Sequence, residues 1–439
     1  MSARSWPARV LLAGATCGLV FWGSTRARAD HDDEPAFPFI AFDDKAIQYE
    51  EAPGNEPVAR LENKLRQGTA ELDYDPKFGY LPSLLKHLDI TVDSQLLVFS
   101  KTSFQAPRIS PAKPRALYFN DTVAIGSVQN GQVLEVVSLD PRQGQIFYTL
   151  DVRQSDRPRF HREAIACLQC HFSPATQNVP GLLVSSVYPS GDGSPFLRAG
   201  TFVTDHRTPI AERWGGWYVT GARGAAHHRG NAVAHDRRDP TNLDSNRSGN
   251  LTALDKRFDV SAYLTGTSDI VALLTLEHQT RMTNLITRIG WETRLAMRDG
   301  KTEEFRKRLD FVADEIVTYM VFADEAPIRE PIEGTSTFTK TFPQRGPRDK
   351  RGRSLREFDL QQRLFRYPLS YIIYSESFDS VPPLASEAIY RKLYAVLAGK
   401  DRREKFARLS PADRQAALDI LRDTKSGLPA YWNDVPTAR

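Results

Sequence analysis

Two cysteines and a histidine are the residues best spaced to do chemistry, in the run Cys167-Leu168-Gln169-Cys170-His171. Two thiols at this spacing can add to the two vinyl groups along one edge of a haem. The imidazole that follows at once can then reach the iron as its proximal ligand. The run therefore predicts one covalently attached haem c, held by Cys167, Cys170 and His171.

Two other readings of a C-x-x-C pair are weaker here. A thioredoxin-like redox pair opens a helix after a strand in a βαβ pattern, whereas this run is followed by the turn sequence Phe172-Ser173-Pro174. A zinc site needs two further ligands at ordered spacing, and the sequence has no second C-x-x-C and no H-x-x-x-H.

The second axial ligand decides what a haem can do, because it separates electron carriers from enzymes and sensors. His278 and Met282 lie four residues apart on the apolar stripe of a predicted helix, so either is a candidate distal ligand. The plainer interpretation is a core histidine with a hydrogen-bond partner, and a methionine that only packs.

A third distal candidate is His228, which lies in a glycine-containing loop after the last predicted strand. The alternative is an ordinary polar surface loop. His161 precedes the first cysteine by six residues and is assigned to the proximal side, and neither His31 nor His206 has a supporting pattern.

The N-terminus has the pattern of an export signal. Arg4 and Arg9 precede the short apolar run Val10 to Trp22, and Ala27-Arg28-Ala29 supplies a small-x-small cleavage site. We therefore expect cleavage after Ala29 and a periplasmic protein. The alternative, a membrane anchor, requires a longer apolar run.

Removal of this segment changes the charge balance. It contains four arginines and no acids, so the remaining chain has 54 basic and 54 acidic residues. A net positive field for nucleic acid is absent. No apolar run after the signal is long enough to span a bilayer, so no stable membrane span is expected in the mature protein.

The secondary-structure elements predicted around the motif indicate an α+β fold with three regions. Residues 30–115 hold a leader and short helices, at 58–66 and 83–88. Residues 116–245 are predicted to be antiparallel β-structure containing the motif, and residues 246–439 to be mainly helical. The hairpin signal Asn130-Gly131 joins strands at 123–128 and 132–137, and further strands are expected at 145–150, 181–188, 200–204 and 216–221.

Capping signals mark the helices of the last region. Asp269 begins a long helix that ends near Asp299, with Gly300 after it. A second helix begins at Thr302, and Ser410-Pro411 starts another. A basic run is expected to be a solvated loop, or else to bind haem propionates or an acidic partner: Arg345, Arg348, Lys350, Arg351, Arg353 and Arg356.

The motif and the export signal resemble those of bacterial c-type cytochromes. The resemblance implies a haem and a proximal His171. It covers only these residues, because the rest of the chain differs from a small soluble cytochrome c. The strand order is also loosely similar to that of PAS-like haem c sensor domains.

Three functions fit these observations. The first is a periplasmic mono-haem cytochrome that transfers electrons to or from a redox partner protein or a small oxidant or reductant. The second is a peroxidase- or oxidase-type haem enzyme, with His278 and Arg281 or Arg288 as acid–base groups. The third is a PAS-like haem sensor. The last two need an open distal site.

The motif gives a direct prediction. Replacing both thiols, Cys167→Ala with Cys170→Ala, should abolish covalent haem staining on a denaturing gel, because no thioether bond can form. Staining that persists in the double variant would contradict attachment at this motif.

Overall fold

The computed structural model describes residues 40–223, 227–244 and 250–433. The predicted signal peptide, its cleavage site after Ala29 and the start of the leader lie outside the described residues. Within them, the sheet belongs to the N-terminal half and helices dominate the C-terminal half. This confirms the α+β class.

The elements of the described residues are as follows. The strands are β1 (Leu96–Val98), β2 (Arg115–Phe119), β3 (Val123–Ser127), β4 (Val133–Asp140), β5 (Gly144–Asp151), β6 (Phe160–Arg162), β7 (Val184–Val187), β8 (Thr201–Thr204), β9 (Trp217–Tyr218), β10 (Gly221–Arg223) and β11 (Ile332–Gly334). The helices are α1 (Pro57–Arg66), α2 (Leu81–His87), α3 (Ile165–His171), α4 (Ile270–Arg298), α5 (Thr302–Met320), α6 (Phe338–Thr341), α7 (Glu376–Asp379), α8 (Pro383–Leu397) and α9 (Pro411–Thr424).

The largest sheet is an antiparallel meander in the order β6-β5-β4-β3-β2-β1-β9. The predicted hairpin is confirmed: Asn130 has a φ of 55° in the turn, and Ile125 pairs with Val136 across β3 and β4. One face of this sheet is buried through residues such as Ile125 and Val136, while the alternate positions of β2 and β4 are only half-buried. The half-buried face is the one that meets the C-x-x-C-H run, since Phe147, opposite Val137 of β4, contacts His171.

The strands predicted after the motif do not all extend this sheet. β7 and β8 form a separate two-stranded sheet, and only the short β9 joins the meander, at its β1 edge. β1 begins at Leu96, so the sheet also uses residues before the expected boundary at 115. β1 has only three residues, and all of them are apolar and buried. The sequence therefore lacks the alternation of apolar and polar residues that would predict a strand here.

The long helix α4 is central to the architecture. Its 29 residues begin after the N-cap Asp269, and Gly300 follows its end with a φ of 69°, as the capping signals predicted. Nearly every α4 residue from Ile270 to Thr293 is buried, because the sheet region packs on one side of the helix and α5 and α8 pack on the other. No helix in the described ranges is long and apolar enough to cross a membrane.

The basic run between 345 and 356 is tied down by acids of the same chain. Arg345 lies 3.3 Å from Asp89, and Arg353 lies 2.7 Å from Asp349. The other ion pairs are Arg348 with Glu357, Lys350 with Asp423 and Arg356 with Asp121. Five of the six basic residues are thus paired with acids of the same chain, while Arg348, Lys350 and Arg351 stay exposed to solvent. The solvated loop, and the alternative of binding haem propionates or an acidic partner, stay predictions.

The N-cap of α4 predicts a large loss of stability on mutation. One Asp269 oxygen accepts from the amides of Val271 and Ala272, and the other accepts from the amide and hydroxyl of Ser336. Asp269→Ala should lower the free energy of unfolding by about 3 kcal/mol, because it removes a cap and leaves buried donors unpaired.

Ser410→Ala provides the matched control, since Ser410 caps α9 at an exposed position. We expect it to cost about 1 kcal/mol. Denaturant unfolding of both variants measures the difference, and equal losses would argue against the central role of the α4 cap.

Candidate functional site

The helix α3 presents the motif at the surface. Cys167 is half-buried and Cys170 is exposed, and neither takes part in a disulfide. Residues three apart on a helix lie on the same side, so both thiols face the same space. Ile165, in the same helix, is 72% exposed.

The ring of His171 is oriented by a backbone carbonyl. Its Nδ1 lies 2.9 Å from the oxygen of Gly181, and the Gly181 amide donates in return to the His171 carbonyl at 2.9 Å. A carbonyl only accepts, so Nδ1 must carry the proton and Nε2 must carry the lone pair. No hydrogen-bond partner of Nε2 is found among the described residues. Burial also lowers the pKa of His171, which favours the neutral, metal-binding form.

The segment that carries the Gly181 carbonyl is held from two sides, through the carbonyls of the residues before and after Gly181. The Gln145 amide of β5 donates to the Pro180 carbonyl at 3.0 Å, and the Asn284 side chain of α4 donates to the Leu182 carbonyl at 2.8 Å. Gly181 leaves room for this contact, since a Cβ there would lie 2.3 Å from the Asn284 Oδ1 atom. The sheet and α4 together therefore fix the direction of the imidazole.

The sheet supplies both an aromatic and a charged neighbour to the motif. The Phe147 ring of β5 lies 5.0 Å from the His171 ring. On β4, Glu135 accepts hydrogen bonds from Ser103 at 2.6 Å, Gln105 at 2.8 Å and Arg115 at 2.6 Å. Burial alone raises the pKa of Glu135, but Arg115 and the other donors outweigh it, so the pKa lies below its usual value.

The residues around the motif fit a covalently attached haem. Two thiols share one side of α3, and an imidazole with an available Nε2 follows them. A backbone carbonyl fixes the tautomer, as is usual for a histidine that binds a metal. Cys167, Cys170 and His171 are the residues that would hold the group.

His278 occupies a different environment from the motif. It is fully buried on α4, with its Nδ1 atom 2.9 Å from the Nδ1 of His206 and its Nε2 atom 2.8 Å from the Ser370 hydroxyl. Its ring also stacks on Tyr319 and Phe322. Both of its nitrogens are thus engaged by protein groups, and none of its contacts within the described residues reaches the motif. Its assignment as a distal ligand stays a prediction.

The other two distal candidates are also buried. Met282 lies one turn further along α4, with no exposed surface. His228 packs edge-on against the Trp214 ring at 5.1 Å, and the Trp214 indole donates to Glu277 of α4 at 3.1 Å. The structure therefore brings His228 towards the first half of α4. The assignments of Met282 and His228 as ligands remain predictions.

The arginines suggested as acid–base partners of His278 have acidic partners of their own. Arg281 lies 3.5 Å from Asp205 and 3.3 Å from Glu315. Arg288 lies 3.0 Å from Glu292 and donates to Gln177 at 2.8 Å. Gln177 belongs to the segment between the motif and Gly181, so Arg288 helps to hold that segment against α4.

Sequence reasoning missed His206, which lies at the centre of a buried chain of hydrogen bonds. Its Nε2 faces Asp324 at 3.4 Å, so His206 Nδ1 accepts from His278 Nδ1, and His278 Nε2 accepts from Ser370. The one available signal was its place directly after β8, in the polar run Thr204-Asp205-His206-Arg207. Nothing local identified its partner, which lies 72 residues further along the chain.

This histidine pair predicts acid sensitivity. Burial lowers the pKa of His206 and lowers the pKa of His278 well below 6.5, and His206 lowers the pKa of His278 further. The unfolded chain therefore binds more protons below about pH 6.5, so the free energy of unfolding falls as the pH falls through that value. The charged groups facing the pair are Asp205, Arg207, Arg281 and Asp324.

Denaturant unfolding between about pH 5 and 7.5 measures the effect. We expect His278→Gln to flatten the dependence of stability on pH, although its stability at neutral pH also falls. His161→Gln, at an exposed position of β6, is the control and should keep the wild-type slope. The same slope in both variants would contradict the role of the buried pair.

Comparisons of the chain with protein-family models, with curated proteins and with solved structures found no match. The chemistry proposed for the site therefore rests on its own residues. Those residues are two thiols on one side of a short helix and an imidazole whose tautomer is fixed by Gly181.

Proposed function

We propose that this protein is an exported, periplasmic mono-haem c protein that transfers electrons. The observation that carries the proposal is the hydrogen bond from His171 Nδ1 to the Gly181 carbonyl. It leaves Nε2 as the ligand atom directly after two thiols at the haem-attachment spacing. The expected export follows from the sequence of the first 29 residues.

The chain's own groups have distinct tasks in this proposal. Cys167 and Cys170 would hold the haem, since addition of their Sγ–H bonds across its two vinyl groups would give two thioether bonds with no leaving group. His171 supplies a lone pair at Nε2, and Gly181 and Asn284 hold that ring in place. When bound, the haem supplies an iron that accepts and releases one electron.

Exposure of the motif favours electron transfer. Cys170 is exposed and Ile165 is 72% exposed, so a haem attached to these thiols would have its thioether edge close to the surface. A partner protein or a small oxidant or reductant can then approach that edge without entering the fold. Electron transfer needs little more than this proximity, together with a rigid site.

The second candidate is a haem enzyme or sensor with an open distal position. One observation favours it: both ring nitrogens of His278 are engaged by His206 and Ser370. A haem without a strong second ligand binds small molecules at the iron. The two candidates therefore differ in one measurable property, the coordination of the iron.

Optical spectra of the exported protein, oxidised and reduced, with and without carbon monoxide, test the proposal. A low-spin spectrum that is indifferent to carbon monoxide supports electron transfer. A high-spin spectrum that shifts on addition of carbon monoxide would contradict electron transfer and favour the haem enzyme or sensor. A wild-type protein without covalent haem on a denaturing gel would overturn both.

His278→Ala serves as the internal check on the distal side. Unmoved Soret bands in both oxidation states would exclude His278 as a ligand. Comparison with His161→Ala, at the exposed position on β6, separates ligation from a general effect of removing an imidazole.

A further inference from the structure

An ion pair lies on the face of the sheet that meets the motif. The Arg115 guanidinium of β2 lies 2.6 Å from the Glu135 carboxylate of β4. Glu135 is opposite Thr149 in the register and Phe147 is opposite Val137, so Glu135 and Phe147 are diagonal neighbours on one face. Since the Phe147 ring contacts His171, the ion pair and the axial ligand share that face.

The pair is fixed in place rather than mobile. Only 17% of the Arg115 side chain and 15% of the Glu135 side chain are exposed. Ser103 and Gln105 donate two more hydrogen bonds to the carboxylate. Gly126 lies opposite Glu135 on β3, where a Cβ would lie 3.2 Å from the carboxylate. Few surface ion pairs are held by this many contacts.

The two charges act on the motif in opposite directions. Besides the larger effects of burial and of the Gly181 hydrogen bond, Arg115 lowers the pKa of His171 and Glu135 raises it. Burial, together with the smaller effects of Glu163 and Glu135, raises the pKa of Cys167 to about 11. Glu135 is a diagonal neighbour of Phe147, and the Phe147 ring contacts His171, so the two fixed charges lie on the same half-buried face as the proposed axial ligand and are poorly screened from it.

We propose that the charges of Arg115 and Glu135 shift the reduction potential of the iron held by His171 in opposite directions, so that their pairing keeps the potential from moving either way. The inference rests on the proposed function and deepens it. Reduction adds one negative charge to the iron centre, so a nearby fixed cation favours the reduced state and a nearby fixed anion favours the oxidised state. The effects of the two charges on the reduction potential largely cancel. The loss of either charge leaves the effect of the other uncompensated.

Redox titration of the purified holoprotein, followed by its optical spectrum, tests the proposal. Arg115→Gln should lower the midpoint potential and Glu135→Gln should raise it. The double variant should return close to the wild-type value, because both charges are gone. Arg115→Lys keeps the cation and should keep most of the wild-type potential, which distinguishes charge from packing.

Arg353→Gln is the matched control. Arg353 is also 17% exposed and also pairs with a carboxylate, that of Asp349, but in the helical half of the chain. Its removal should leave the potential unchanged. Circular dichroism reports whether each variant folds, and if Arg115→Gln does not, Glu135→Gln and Arg115→Lys still decide the matter.

The outcomes separate this inference from the proposed function. Shifts of the same sign in the two single variants, or shifts no larger than that of Arg353→Gln, would overturn the role of the ion pair while the haem remains. Absence of covalent haem in the wild-type protein would overturn the proposed function itself.

Discussion

The structure depends on the burial of a long helix that is not apolar. α4 lies between the sheet region and the remaining helices, and its buried residues include Glu277, His278 and Arg288. A buried polar group costs several kcal/mol unless it is paired. Each of these side chains therefore requires a partner from a surrounding element, and those partners fix how the elements meet. Apolar packing alone would leave more arrangements open.

Polar side chains spread along α4 have such partners in the surrounding elements. Glu277 lies 2.8 Å from Arg213, and both side chains are almost fully buried. Gln279 accepts from Tyr371 at 2.8 Å, on the side of the helical half. Asn284 binds the Leu182 carbonyl on the side of the motif. The helix thus connects a cluster of buried charges at its first half to the haem motif at its second half.

This arrangement gives the candidate haem site a rigid proximal side. His171 is oriented by Gly181, whose segment is held by β5 and by α4. The thiols, in contrast, lie on a short helix at the surface. An imidazole held firmly from within and thiols that are open to the outside suit the proposed electron carrier, since rigidity limits the rearrangement that accompanies a change of charge.

The sequence by itself determined the features that depend on neighbouring residues. The C-x-x-C-H run, the cap at Asp269 and the turn at Asn130 each lie within a few positions of the chain, so covalent geometry and local hydrogen bonds define them, while haem attachment at that run stays a prediction. Only the tertiary structure decided which distant residues meet. His206 and His278 are 72 residues apart, and Arg115 faces Glu135 only because the register of β2, β3 and β4 aligns them. Packing and the free-energy cost of leaving a buried polar group unpaired determine such partners, and a local sequence pattern contains information on neither.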